Sequence, residues 1–300
     1  MGYHMNENLF NHRHPLVSSS YYIAMLLIVM STTNPIVIGS CFIGSFCFRI
    51  IQLRGRRLVR SLGFPFFFLI VITVTNPLFV HRGGTILFFF LGKPFTLEAL
   101  LYGLQMGIMI ATVLFLFQIL QTVVDSEKFF YLFGKRFAKL SLILTMIFRF
   151  IPLFQQYFQE LRQVQKTMKR TQQRNLQEKA SYGLDLFGNL FSWALENAMD
   201  TADSMKARGY GSFKRSSRIS YHWSWVDTIY LFGILGMLGI FLISLTKGVY
   251  LFNYYPYIEN VTFFIENHWL NYGLIFLFAM LPTINSVKEG IIWTILKSRI

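Results

Sequence analysis

Charge is what this sequence has least of. Only 14% of its 300 residues are Asp, Glu, Lys or Arg, against roughly 25% in soluble domains. Acid is scarcer still, with 14 Asp and Glu facing 28 Lys and Arg, for a formal charge of +14. The only two cysteines, Cys41 and Cys47, share one apolar run. That excludes a disulfide framework and a thiolate metal site, and leaves them as small packing residues. Catalytic and nucleotide signatures are missing: there is no G-x-x-x-x-G-K-[ST] loop, no H-E-x-x-H pair and no metal-spaced Cys/His cluster, and the apolar runs carry almost no acid or base. His4, His12, His14, His81, His222 and His268 are dispersed, and the first three read as part of a polar N-terminal tail. No short apolar core followed by a small-residue cleavage site points to a removable signal peptide.

What is abundant is apolar surface, with 54% hydrophobic and 18% aromatic residues. Apolar runs at about 16–33, 35–51, 62–80, 97–124, 225–246 and 271–283 approach the roughly 20 residues that span hydrocarbon. Asn34-Pro35 is a turn signal between the first two. Thr85 to Leu91 is too short to cross and reads as interfacial or re-entrant, while Tyr250 to Trp269 is an aromatic stretch suited to an outer interface. Leu140 to Phe154, interrupted by Arg149 and Pro152, reads either as a fifth span or as a helix along the inner surface.

Five arginines fall within Arg49 to Arg60. If that loop is cytoplasmic, only Arg82, Lys93 and Lys247 of the 28 Lys and Arg residues lie outside. This asymmetry sets the orientation, with both termini cytoplasmic and an even number of spans. The predicted fold is all-α: a polytopic helical membrane protein with about six transmembrane helices. It comprises a tail at 1–15, spans within 16–124, a cytoplasmic helical domain at 125–223 with a membrane-embedded segment at 137–154 left open, and C-terminal spans within 224–300.

In the cytoplasmic domain, helix-forming residues run from about Phe187 to Ala207, after a break near Thr171 to Gly183. Gly209 supplies the left-handed residue that closes such a helix, which leaves Arg208 on the last turn as a five-donor cation at the tip of a rod. Arg162, Lys166, Lys169 and Arg170 lie on one helix face, and Glu196, Asp200 and Asp203 on another. Opposite in sign and matched in spacing, the two stripes predict helices that cross with these faces together.

These residues resemble the transmembrane T component of energy-coupling factor (ECF) transporters, the group that includes the cobalt-transport permease. The resemblance runs from about Asn76 to Tyr221. Asn76-Pro77-Leu-Phe-Val-His81-Arg-Gly83-Gly resembles the family's N-P-L-F-x-H-x-G motif, and Arg149-Phe-Ile-Pro152 the entry to its first coupling helix. The run from Ala194 through Ala207-Arg208-Gly209 to Gly211 is similar to the second coupling helix with its terminal Ala-Arg-Gly. The resemblance implies two long cytoplasmic coupling helices whose ends dock on two ABC-type ATPases, and a membrane part that holds a small substrate-binding S component. ATP and Mg would be bound by the ATPases, with no cofactor on this chain. ATP-driven motion would bring a vitamin or a transition-metal ion across a bacterial or archaeal plasma membrane. The first coupling helix departs from the pattern, since it ends near Met168-Lys169-Arg170-Thr171 without Ala or Gly, so Lys169 and Arg170 both stand as its docking residue. Three alternatives remain open: a stand-alone secondary transporter, for which Pro65 and Pro77 in one span speak; a polytopic membrane enzyme; and coupling helices that bind anionic lipid instead of an ATPase.

Overall fold

A computed structural model describes residues 14–53, 56–81, 83–90, 93–124, 128, 131, 138–167, 176–212, 223–256 and 261–297. The chain divides into two compact units, Met1–Lys128 with Tyr221–Ile300, and Phe129–Ser220.

The first unit is built from six helices among the described residues: α1 (Pro15–Met30), α2 (Pro35–Gln52), α3 (Arg56–Phe79), α4 (Leu97–Val123) and, after the second unit's α5 (Ala138–Thr167) and α6 (Leu176–Ala207), α7 (Trp225–Thr246) and α8 (Val261–Lys297). Local chemistry marks their starts. Asn34 accepts from the Ile36 amide at 3.0 Å with Pro35 at the first helical position, Thr96 caps α4, and Ser224 with Asp227 forms a reciprocal capping box on α7. Among the described residues of the whole chain, six helical stretches are long and apolar enough to cross a membrane: Pro35–Gln52, Leu58–Phe79, Leu97–Val123, Lys139–Thr167, Trp225–Thr246 and His268–Lys288. The 16-residue α1 is shorter, about 24 Å. It is instead the most enclosed helix of the unit, with Val17, Tyr21, Met25 and Ile28 in a core shared with α2, α4, α7 and α8.

The helices meet through missing side chains. A Cβ at Gly44 of α2 would lie 2.5 Å from the Ala279 carbonyl oxygen of α8, and one at Gly107 of α4 would lie 2.8 Å from the Leu69 carbonyl oxygen of α3. Gly103, one turn earlier, sits against Asn76 and Thr73. Gly103-x-x-x-Gly107 is therefore a small-residue seam of the kind that brings membrane helices close, a signal in the sequence that the reading above passed over.

Two elements depart from expectation. Thr85 to Leu91 contributes a strand: β1 (Ile86–Phe90) pairs antiparallel with β2 (Lys93–Thr96), and Phe88 stacks on Phe95 at 4.6 Å. Alternation with Lys93-Pro94-Phe95-Thr96 makes the short run half of a hairpin. The aromatic stretch after α7 also folds inward, with Tyr250, Phe252 and Tyr254 buried, because Tyr250 packs on Phe241 and Tyr272 and Tyr254 on Tyr102.

The glycine seam gives a direct test. Gly44→Ala and Gly107→Ala are expected to lose about 1–3 kcal/mol by overpacking. Gly233→Ala and Gly236→Ala, which face open space, should be near neutral. Thermal melting in detergent reads the difference.

Candidate functional site

In the first unit, the Asn76–Gly84 motif is a structural knot. Asn76 Nδ2 donates to the Ala99 carbonyl at 2.7 Å, tying the end of α3 to the start of α4. Glu98 is buried and accepts from the Thr85 amide at 3.1 Å and from the Thr85 hydroxyl at 2.8 Å. Gly83 has φ +152, and a Cβ there would lie 2.5 Å from Glu98 Oε2, so both its conformation and its neighbour require glycine. Pro77 lies inside the last turn of α3. Glu98, the anion that organises this turn, is not singled out by any motif in the sequence.

His81 borders a cavity of about 780 Å³ lined also by Thr33, Phe79, Tyr102, Asn253 and Tyr254. Burial, and then the phenol of Tyr102, pushes the Tyr254 hydroxyl above its ordinary range, so it stays protonated and able to donate across physiological pH. His14 is held at the start of α1: its Nδ1 accepts from the Leu16 amide and its ring packs on Trp223 at 4.7 Å. Among the described residues no three His, Cys, Asp or Glu side chains gather into a metal-binding group.

Among the described residues the second unit is two long helices, and aromatic rings mark where they meet. Trp193 of α6 stacks on Tyr157 of α5 at 4.3 Å and meets Phe154 at 5.6 Å. Helix α5 is continuous for 30 residues through Pro152 and the exposed Arg149, so its apolar and polar halves are one rod. Helix α6 begins at Leu176, well before the expected Phe187, with Gly183 and Gly188 inside it. Along α6 an apolar stripe, Leu184, Phe187, Phe191, Leu195 and Met199, is more than half exposed throughout.

The end of α6 is closed by a Schellman motif. The Tyr210 amide donates to the Met205 carbonyl at 3.0 Å and the Gly209 amide to the Lys206 carbonyl at 2.9 Å, with Gly209 at φ +79. Arg208 is the capping residue and is exposed, and its side chain has no ion-pair partner among the described residues. Open space surrounds Gly209 and Gly211, so a partner's surface can approach the backbone here. Lys169 and Arg170 lie outside the described residues.

Among the described residues the charge stripes do not pair, and Lys169 and Arg170 of the basic stripe lie outside those residues. Among the described residues no ion pair joins Arg162 or Lys166 to Glu196, Asp200 or Asp203; Asp203 instead meets Lys206 on its own helix at 3.7 Å, both exposed. Chain connectivity explains this. From the Tyr157–Trp193 contact, α5 runs about 15 Å to Thr167 and α6 about 26 Å back to Leu176. The eight residues 168–175 between them reach at most about 32 Å, so the two arms must lie on one side of the contact. Lys166 is on that side and Asp200 on the other, about 24 Å apart along the helix axes. Asp200→Lys and Lys166→Asp are each expected to change the melting free energy by under about 0.5 kcal/mol, and the double variant should be additive. A coupling above 1 kcal/mol in that cycle would restore the pairing.

Two long helices with an unpaired cationic tip, attached in sequence to a bundle of apolar helices, form an assembly with no catalytic constellation among the described residues. A search of curated protein sequences found no match. The sequence matches the model of the CbiQ family, cobalt transport protein, over residues 7–221. The chain therefore belongs to the CbiQ cobalt transport protein family and is a multi-pass membrane transport component.

Proposed function

We propose that this chain is the coupling scaffold of an ECF-type importer, passing ATP-driven motion of partner ATPases to a substrate-binding S component that carries a vitamin or a transition-metal ion inward. The observation that carries the reading is the end of α6. Ala207, Arg208 and Gly209 form a rigid, exposed, cationic helix terminus with room for a second backbone beside it. An Arg at a helix C-terminus complements the negative end of the dipole and offers a fork to a carboxylate groove. The exposed stripe from Leu184 to Met199 is the surface an apolar S component would cover, since five such side chains in a row are not left bare by a stable assembly. ATP and Mg belong to the ATPases, and both termini of this chain lie in the cytoplasm. Either Lys169 or Arg170 makes the equivalent contact from the end of α5.

Co-purification in detergent tests this. The wild type is expected to bring down two ATPase subunits and a small membrane protein. Arg208→Ala should weaken ATPase retention by at least 30-fold, the loss expected for a desolvated charge truncated in an interface. Phe191→Asp should release the small membrane protein while the ATPases remain. A wild-type chain that purifies alone and transports unaided in vesicles would instead support a stand-alone secondary transporter, for which the 780 Å³ cavity at His81 and Tyr102 is the available chamber.

A further inference from the structure

The C-terminal turn of α2 holds one guanidinium that the coupling reading does not use. Arg49, on the last turn of α2, is only 8% exposed. Its Nε donates to Ser61 Oγ of α3 at 2.9 Å and its Nη1 to Gln52 Oε1 at 2.8 Å, and Ser61 Oγ in turn donates to Gln118 Oε1 of α4 at 2.7 Å. Every acceptor is neutral. No carboxylate lies within ion-pair distance of Arg49 among the described residues. The sequence has no Asp or Glu from residue 8 to residue 97, Glu98 is at the far end of α4, and Asp125 and Glu127 lie outside the described residues.

A buried cation with neutral partners is costly in a membrane protein, and a charge of the opposite sign relieves it. Three helices hold this one in place while its second Nη keeps its donors unused among the described residues, a fork that matches two oxygens of a phosphate. Further cations are close to it in sequence: Arg54, Arg56 and Arg57, and the exposed Arg60 beside Ser61. On the same helix Phe64, Phe67, Val71 and Val74 form an exposed apolar stripe at helical spacing, leading away from the arginines.

We propose that Arg49, positioned by Ser61 and Gln118, binds the phosphodiester of an anionic phospholipid in the cytoplasmic leaflet. The headgroup phosphate accepts the unused guanidinium donors, the neighbouring arginines attract the anionic surface, and an acyl chain lies along the stripe of α3. The site rests on the orientation of the arginine-rich loop and is independent of ATPase docking, so the loss of either leaves the other standing.

The test uses the purified full-length chain in detergent, with native mass spectrometry and thermal melting after addition of phosphatidylglycerol, phosphatidylcholine or inorganic phosphate. The wild type is expected to retain phosphatidylglycerol and to melt several degrees higher with it, and not with phosphatidylcholine. Arg49→Gln should cut retention more than tenfold, with Arg49→Lys between the two. Arg60→Gln should cut it by about fivefold at most, the share of one surface charge. A wild type indifferent to phosphatidylglycerol overturns the site whether or not Arg49→Gln folds, as does an Arg60→Gln loss equal to that of Arg49→Gln. Millimolar inorganic phosphate that stabilises as well as the lipid would assign the fork to free phosphate and overturn the lipid assignment.

Discussion

A peptide group in hydrocarbon has no water to bond, and leaving one unsatisfied costs several kcal/mol. The organisation of the first unit follows from that constraint. Its long apolar stretches are helices, and in the segments that join them other groups take up spare donors. Glu98 accepts the Thr85 amide, Asn34 the Ile36 amide, and the Pro256 carbonyl the Gly84 amide at 3.1 Å. Because lipid tails are as apolar as leucine, hydrophobicity does not choose between helix partners in this setting. Close approach does. The glycines at 44, 103 and 107 select which helix faces meet, while the glycines of α7 look onto open space and select nothing.

The second unit obeys different accounting. Helices α5 and α6 meet through Phe154, Tyr157 and Trp193 and leave long apolar stripes outside that contact. Such a pair gains little from its own packing, so cover from other surfaces must supply much of its stability. In a transport component this is a useful property. A helix pair with a small mutual contact is less tightly fixed in its crossing than the helices of the first unit, which close on one another's backbone at their glycines.

Much of this was legible in the sequence, and the reasons differ by element. Five of the six runs read as spans are long apolar helices, because a run of apolar residues near 20 long has few other uses, and Asn34-Pro35 marked the turn because asparagine caps and proline starts a helix. The α6 terminus was readable because Arg208-Gly209 states its own geometry: only glycine sits comfortably at φ +79. Stripe pairing was not, since like spacing on two helices says nothing about where along their lengths they touch; Trp193 and Tyr157 decide that, and no periodicity singles them out. The start of α6 was also missed, because Gly183 and Gly188 lower helix propensity by only about 1 kcal/mol each, which a long helix absorbs. Arg49 was visible only as one of five arginines, and its burial is a property of the fold that Ser61 and Gln118 reveal.

The form of the α6 terminus bears on whether force can pass through it. An ordinary helix end frays, because its last four carbonyls lack partners. A cation on a fraying end moves independently of the rod behind it. Here the Met205 and Lys206 carbonyls are taken by the Tyr210 and Gly209 amides, so the capping Arg208 is held by bonds on either side of it. From the Trp193 contact to Ala207 is 14 residues, about 21 Å of continuous helix. A push on Arg208 therefore reaches that contact and the apolar stripe as movement of a stiff body, because bending a hydrogen-bonded helix over so short a span needs a proline or an inserted group, and α6 has neither between Trp193 and Ala207. Small residues at Ala207, Gly209 and Gly211 leave the backbone open beside Arg208, so a surface docked there as proposed would press on the backbone and be held by the guanidinium.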